Sequence, residues 1–135
     1  MTALQGIEVG EELPPLKVEP ISRTTLALFA GASGDHNPLH VDIDFARSAG
    51  LEDVVAPGML SMAYLGRLLT NWVPQERLRT WRVRFIAMTP VYGVPVCTGR
   101  VTAVDDGDGV ATIKLAVTLD DGTITLLGDA TVAIN

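Results

Sequence analysis

The sequence predicts an α+β domain, on three observations. Helical patterning fills the first half of the chain, from about residue 22 to residue 72. The second half is built of runs rich in Val, Ile and Thr, separated by acidic, glycine-containing turns. The last helix before those runs is apolar almost all round, which marks it for burial. One buried helix against an antiparallel sheet accounts for all three.

The elements follow in order. Pro14 and Pro15 mark an extended entry, and residues 16–19 form a short first strand. Ser22 caps a helix over residues 22–32, in which Leu26, Phe29 and Ala30 share one face. Gly34 turns the chain after that helix. Pro38 fixes its own φ and pushes Asn37 toward extended angles, so a rigid, non-repetitive loop is expected over residues 34–40. Asp42 caps a short helix over 43–49, which Gly50 stops. Pro57 and Gly58 open the long helix, whose apolar residues run from Met59 to Trp72. Strands are expected over 80–88, 95–104, 109–119 and 123–134. The turns at 105–109 and 120–122 are Asp- and Gly-rich hairpins, so the last three strands form an antiparallel meander.

A length of 135 residues fits one domain, taken as 1–135, with room for a real core. Hydrophobic residues make up 47% of the chain, so part of its apolar surface is expected to meet a partner subunit. A net charge of −6 offers phosphates no positive field, which argues against a nucleic-acid partner. The single cysteine, Cys97, cannot form an internal disulfide and reads as a small core residue. Residues 1–10 lack the pattern of a signal peptide, and no apolar run reaches membrane-spanning length. A cytoplasmic protein without a membrane partner is the expectation.

The stretch Gly34-Asp35-His36-Asn37-Pro38-Leu39-His40 carries the chemistry. It sets one carboxylate and one imidazole five residues apart, around a proline turn. Asp35 and His40 can serve as a general acid/base pair, moving a proton to or from a water or a carbon acid. Ordinary solvated turns use the same residue types. The flanks weigh for a built site. Capped helices stand on both sides, and the helix opening at Gly58 brings free backbone N–H groups that can bind a developing oxyanion.

The order Ala30-Gly31-Ala32-Ser33-Gly34-Asp35-His36-Asn37-Pro38-Leu39-His40, followed by Ala56-Pro57-Gly58-Met59-Leu60, resembles the MaoC-like dehydratases. These include the (R)-specific enoyl-CoA hydratases, also called hydratase 2. The resemblance extends over essentially the whole chain. It implies a hot-dog fold, a long central helix wrapped by an antiparallel sheet. It implies a lyase that hydrates trans-2-enoyl thioesters and dehydrates (R)-3-hydroxyacyl thioesters, with Asp35 and His40 catalytic, the Gly58 N–H on the thioester oxygen and Asn37 shaping the loop. No cofactor is expected, because CoA or phosphopantetheine is part of the substrate. Many members carry His where this chain has Pro57, and proline has no N–H to donate. Hot-dog relatives pair two such domains, so a homodimer or higher oligomer is expected, with a heteromer open.

Other polar residues carry less. Ser61 lies one turn into the long helix without a nucleophile elbow around it, and fits small-residue packing, a contact to the catalytic loop or substrate binding. Arg82 and Arg84 alternate with Trp81, Val83 and Phe85, so the two faces of that strand differ. The arginines are either an ordinary solvated face or a dock for CoA phosphates or an acidic carrier protein. His36 and His40 do not make a metal site, because Pro38 prevents a helical pair and the chain has no third histidine. Two alternatives stay open: a hot-dog thioesterase, and the catalytic subunit of a heteromeric dehydratase.

Overall fold

The structure, a computed structural model, describes residues 6–135. The reading of residues 1–5 as part of an N-terminus without a leader lies outside it. Strand β1 (Leu16–Lys17) leads to helix α1 (Arg23–Ser33), where the Ser22 hydroxyl accepts the Thr25 N–H at 3.1 Å as the predicted cap. Gly34 ends α1 at φ 78°. Asp42 caps α2 (Ile43–Ser48), accepting the N–H groups of Asp44 and Phe45. The two-residue strand β2 (Val55–Ala56) precedes the long helix α3 (Gly58–Trp72).

Strand β3 (Leu78–Phe85), the short β4 (Thr89–Pro90), β5 (Pro95–Asp105), β6 (Val110–Leu119) and β7 (Ile124–Ala133) complete the fold. The main sheet runs β1-β5-β6-β7-β3, antiparallel throughout, and β2 pairs with β4 separately. The predicted meander is β5-β6-β7, with Gly109 (φ 66°) and Gly122 (φ 91°) in its turns. β3 leaves the end of the helix and joins the far side of β7, which makes it an edge strand.

Strand alternation divides the sheet into two faces. Ala111, Ile113, Leu115 and Val117 of β6 are fully buried beneath α3, where Leu65, Leu68 and Leu69 meet them. Outward stand Thr80 and Thr131, hydroxyls 2.7 Å apart, and Arg82 with Asp129 at 3.1 Å. A second, smaller cluster gathers Ile21 and Leu26 with Ala46, Val54, Ala56 and Leu60, and Leu39 packs against it. That cluster seats the loop between α1 and α2. The helix α3 departs from the expected all-round burial. Met59, Ala63, Arg67 and Thr70 form an open flank, because this chain's sheet covers only the opposite side. Among the described residues no helix is long and apolar enough to cross a membrane.

Cys97 is fully buried in β5, as its sequence context predicted, and burial pushes its thiol up to about 12. The neutral thiol is therefore favoured by the fold. Above the unfolded value of about 9 the unfolded chain releases this proton and the native chain keeps it, so the thiol's contribution to stability falls as pH rises from there toward 12. Native protein at pH 8 should resist iodoacetamide, and protein in guanidinium should label at one cysteine. Rapid labelling of the native state would contradict this burial.

Candidate active site

The loop between α1 and α2 is held by its own side chains. The left-handed Gly34 turns the backbone, and the Asp35 N–H donates to Ser33 Oγ at 3.1 Å. Asp35 Oδ1 accepts the Asn37 N–H at 3.2 Å, and Asn37 Oδ1 accepts the Leu39 N–H at 3.0 Å. Asn37 thereby caps a single 3-10 turn over Pro38–His40, with Pro38 at its start. The expected non-repetitive loop thus contains one helical turn, because proline's fixed φ suits a first helical position as well as it ends a preceding helix.

This arrangement leaves Asp35 Oδ2 facing His40 Nε2 at 3.6 Å. The other ring nitrogen, Nδ1, lies 2.7 Å from the Val55 carbonyl oxygen. A carbonyl only accepts, so Nδ1 carries a proton. In the neutral imidazole Nε2 is then a bare lone pair directed at a carboxylate oxygen. Two acceptors at that separation do not bond one another, but each can accept one O–H of a shared water. The imidazole is mostly covered and Asp35 is partly open, so the pair is sheltered on one side and reachable on the other.

Gly58 is the first residue of α3, where a backbone N–H has no intrahelical acceptor. Pro57 precedes it and contributes no N–H. The Phe85 ring lies so close that a Cβ on Gly58 would stand 2.6 Å from it. Gly58, His40, Val55, Phe85 and Met88 line one cleft of about 550 Å³. A second cleft, of about 710 Å³, runs along the open flank of α3. Asp35, Phe29, Met62, Ala63, Arg67 and Trp81 are among its walls, with the Trp81 ring laid over Gly66. Met59 borders both clefts. Asp35 opens into one and His40 into the other.

The remaining predicted residues lie elsewhere. Ser61 is fully buried, and its hydroxyl has no hydrogen-bond partner among the described residues. It presents no surface to a substrate, which corrects that reading, and it makes no hydrogen bond to the loop. Arg82 and Arg84 stand on the outer face of the sheet, turned away from both clefts, and Arg82 is paired with Asp129. The face they share was legible from alternation; its direction away from the clefts was not. His36 is exposed on the loop. The Val55 carbonyl and the ring of Phe85 escaped the sequence reading. A carbonyl has no residue-type signature, and the Phe85 contact depends on tertiary packing.

The MaoC-like domain model matches residues 6–121. The (R)-specific enoyl-CoA hydratase of Aeromonas caviae is 26% identical over 137 residues, covering 96% of this chain and 97% of that protein. The fatty acid synthase subunit beta of Saccharomyces cerevisiae is 27% identical over 133 residues, which are 96% of this chain and only 6% of that protein. Among solved structures, the (R)-hydratase from A. caviae involved in PHA biosynthesis superposes with a TM-score of 0.87 at 26% identity, covering 97% of this chain and 99% of the other. The architecture is therefore the hot-dog fold expected from the sequence.

Proposed function

The chain belongs to the MaoC-like domain family, and from that premise we propose that it is a lyase adding water reversibly to trans-2-enoyl thioesters to give (R)-3-hydroxyacyl thioesters. The observation that carries the chemistry is the facing pair, Asp35 Oδ2 and His40 Nε2, with the His40 proton fixed on the far nitrogen. One water donates an O–H to each. As its oxygen bonds to C3, one O–H bond breaks and the proton passes to the Asp35–His40 pair. The C2–C3 π electrons move toward the thioester carbonyl, whose oxygen gains charge and is held by the Gly58 N–H. The pair returns the proton to C2. Dehydration runs the steps in reverse.

The two clefts orient the substrate. With the carbonyl at Gly58 and C3 at Asp35, the thiol arm lies in the cleft of Phe85 and Met88, and the acyl chain continues past Met59 along α3. Ala63→Phe, on the open flank, should then lower kcat/KM for a long enoyl-CoA about tenfold or more, since each displaced methylene is worth about 1–3 kcal/mol. Crotonyl-CoA should be barely affected. Equal losses on both substrates would remove the acyl chain from this cleft.

A second copy of the chain fits the uncovered surfaces. Among the described residues β3 has one unpaired edge, and Phe85, Ile86 and Met88 are exposed beside the open flank of α3. A dimer through these surfaces would also close the acyl cleft. The decisive test is loss of enoyl absorbance with crotonyl-CoA and a longer trans-2-enoyl-CoA, with the product identified as the (R)-alcohol. Release of free thiol in place of hydration would assign a thioesterase.

A further inference from the structure

We propose that Arg23 and Asp53 are positioning residues for His40, clamping the segment whose Val55 carbonyl holds the imidazole; this rests on His40 taking part in the hydration. The Val55 carbonyl is the one hydrogen-bond partner of the His40 side chain among the described residues. Its own strand gives it little support. β2 is two residues long, and Val55 opposes Pro90 as a non-hydrogen-bonded pair, so its carbonyl points out of the ladder toward His40 and takes no ladder bond.

The support comes from the neighbouring residues. Asp53 Oδ1 accepts the Val54 N–H at 2.7 Å. Arg23 grips both oxygens of Asp53, Nη1 to Oδ1 at 3.0 Å and Nη2 to Oδ2 at 2.6 Å. This two-pronged geometry fixes the plane of the carboxylate as a single contact would not. The Arg23 guanidinium also lies 5.6 Å from the centre of the Tyr92 ring. Tyr92 is the non-glycine residue with positive φ among those described, at 68°, and its N–H donates to the Ile21 carbonyl at 2.7 Å. A backbone in that region persists only where its surroundings hold it. The Val91 N–H donates to the Val54 carbonyl at 3.2 Å. The start of α1, the 53–55 segment and the 91–92 turn therefore meet at one guanidinium.

The pair is solvent-exposed, and an exposed ion pair adds little to overall stability. The Arg23 guanidinium, helped by the Val54 N–H, holds the Asp53 carboxyl below the ordinary carboxylate range, so the clamp stays charged on both sides at neutral pH. Its effect is local: it sets where the Val55 carbonyl points, and through it the tautomer and direction of His40.

The chain has two histidines, so nitrogen-15 imidazole spectra separate His40 from the exposed His36 without crowding. The experiment compares wild type with Asp53→Asn, Arg23→Gln and Arg23→Lys, reading kcat and KM on crotonyl-CoA, thermal unfolding, and the His40 ring nitrogens. Wild-type His40 should show its proton on Nδ1. Asp53→Asn and Arg23→Gln should each lower kcat about tenfold, well short of the ~10²-fold that a full 1 Å misplacement can cost. KM should hold within about twofold, unfolding should shift little, and the His40 signals should move toward a mixed tautomer. Arg23→Lys, which keeps the cation, should recover part of the loss. Unchanged His40 signals in folded Asp53→Asn and Arg23→Gln would overturn the proposal, whatever kcat does. Failure of both to fold would also overturn it, by making the pair a requirement of the fold. A wild type inactive on every enoyl thioester would instead remove the hydratase reading, and the His40 signals would still report on the clamp.

Discussion

Asp35→Asn should reduce hydration of crotonyl-CoA by about 10²–10⁴-fold, the usual contribution of one positioned proton-transfer group. The substitution is nearly isosteric, and its effect follows from which oxygen does what. Oδ1 holds the loop by accepting the Asn37 N–H, and an asparagine oxygen can do the same. Oδ2 faces the bare Nε2 of His40. An amide group there becomes a donor, bonds the imidazole directly and displaces the shared water. The loop should survive while the chemistry fails. Enoyl absorbance gives the rate, and circular dichroism with thermal unfolding checks the fold. Wild-type turnover in a folded Asp35→Asn protein would end the assignment of this residue as the base.

Removing the Gly58 N–H should cost about 10²–10³-fold in kcat, the range for a single oxyanion donor. Position 58 permits an unusually direct test. It is the first residue of α3, where proline is well tolerated, and Pro57 already sits at φ −60° and ψ 139°, angles that suit a residue before proline. Gly58→Pro deletes the donor without breaking the helix. The obstacle is Phe85, whose ring occupies the space of any new Cβ. The comparison therefore belongs in a Phe85→Ala background, with Gly58→Ala as the control that adds a Cβ and keeps the N–H. Proline should fall below alanine by the full factor. Equal rates would mean that the thioester oxygen is bound elsewhere.

Much of this molecule was legible from local signals. Ser22, Gly34, Asp42 and Gly50 each marked a helix end, and each sits where its cap or turn chemistry places it. The Asp- and Gly-rich turns announced the β5-β6-β7 order, because a tight hairpin sets the two strands it joins side by side. The place of β3 was not legible. A strand that follows a long helix can join either edge of a meander, and tertiary packing put it beside β7. The short β2 and β4 carry too few residues for any period to show. At the site, side-chain chemistry announced Asp35 and His40, and helix-entry residues announced Gly58. The tautomer of His40 depends on a backbone oxygen fifteen residues away, which no residue type encodes. The open flank of α3 misled the pattern reading, since an apolar helix looks alike whether its own sheet or another surface covers it.

The two apolar clusters divide the labour of the site. The loop of Asp35 and His40 rests through Leu39 on the smaller one, whereas the wall residues Met62, Leu78 and Trp81 of the acyl cleft pack on the larger one beneath the sheet. Tyr64 touches both. Substitutions in separate packing units with few shared neighbours combine almost additively. Chain-length preference can therefore be retuned through the walls on one cluster while the proton-transfer geometry is inherited from the other, and independence should break down at Tyr64 and at Phe29, which lines the acyl cleft but packs on the smaller cluster.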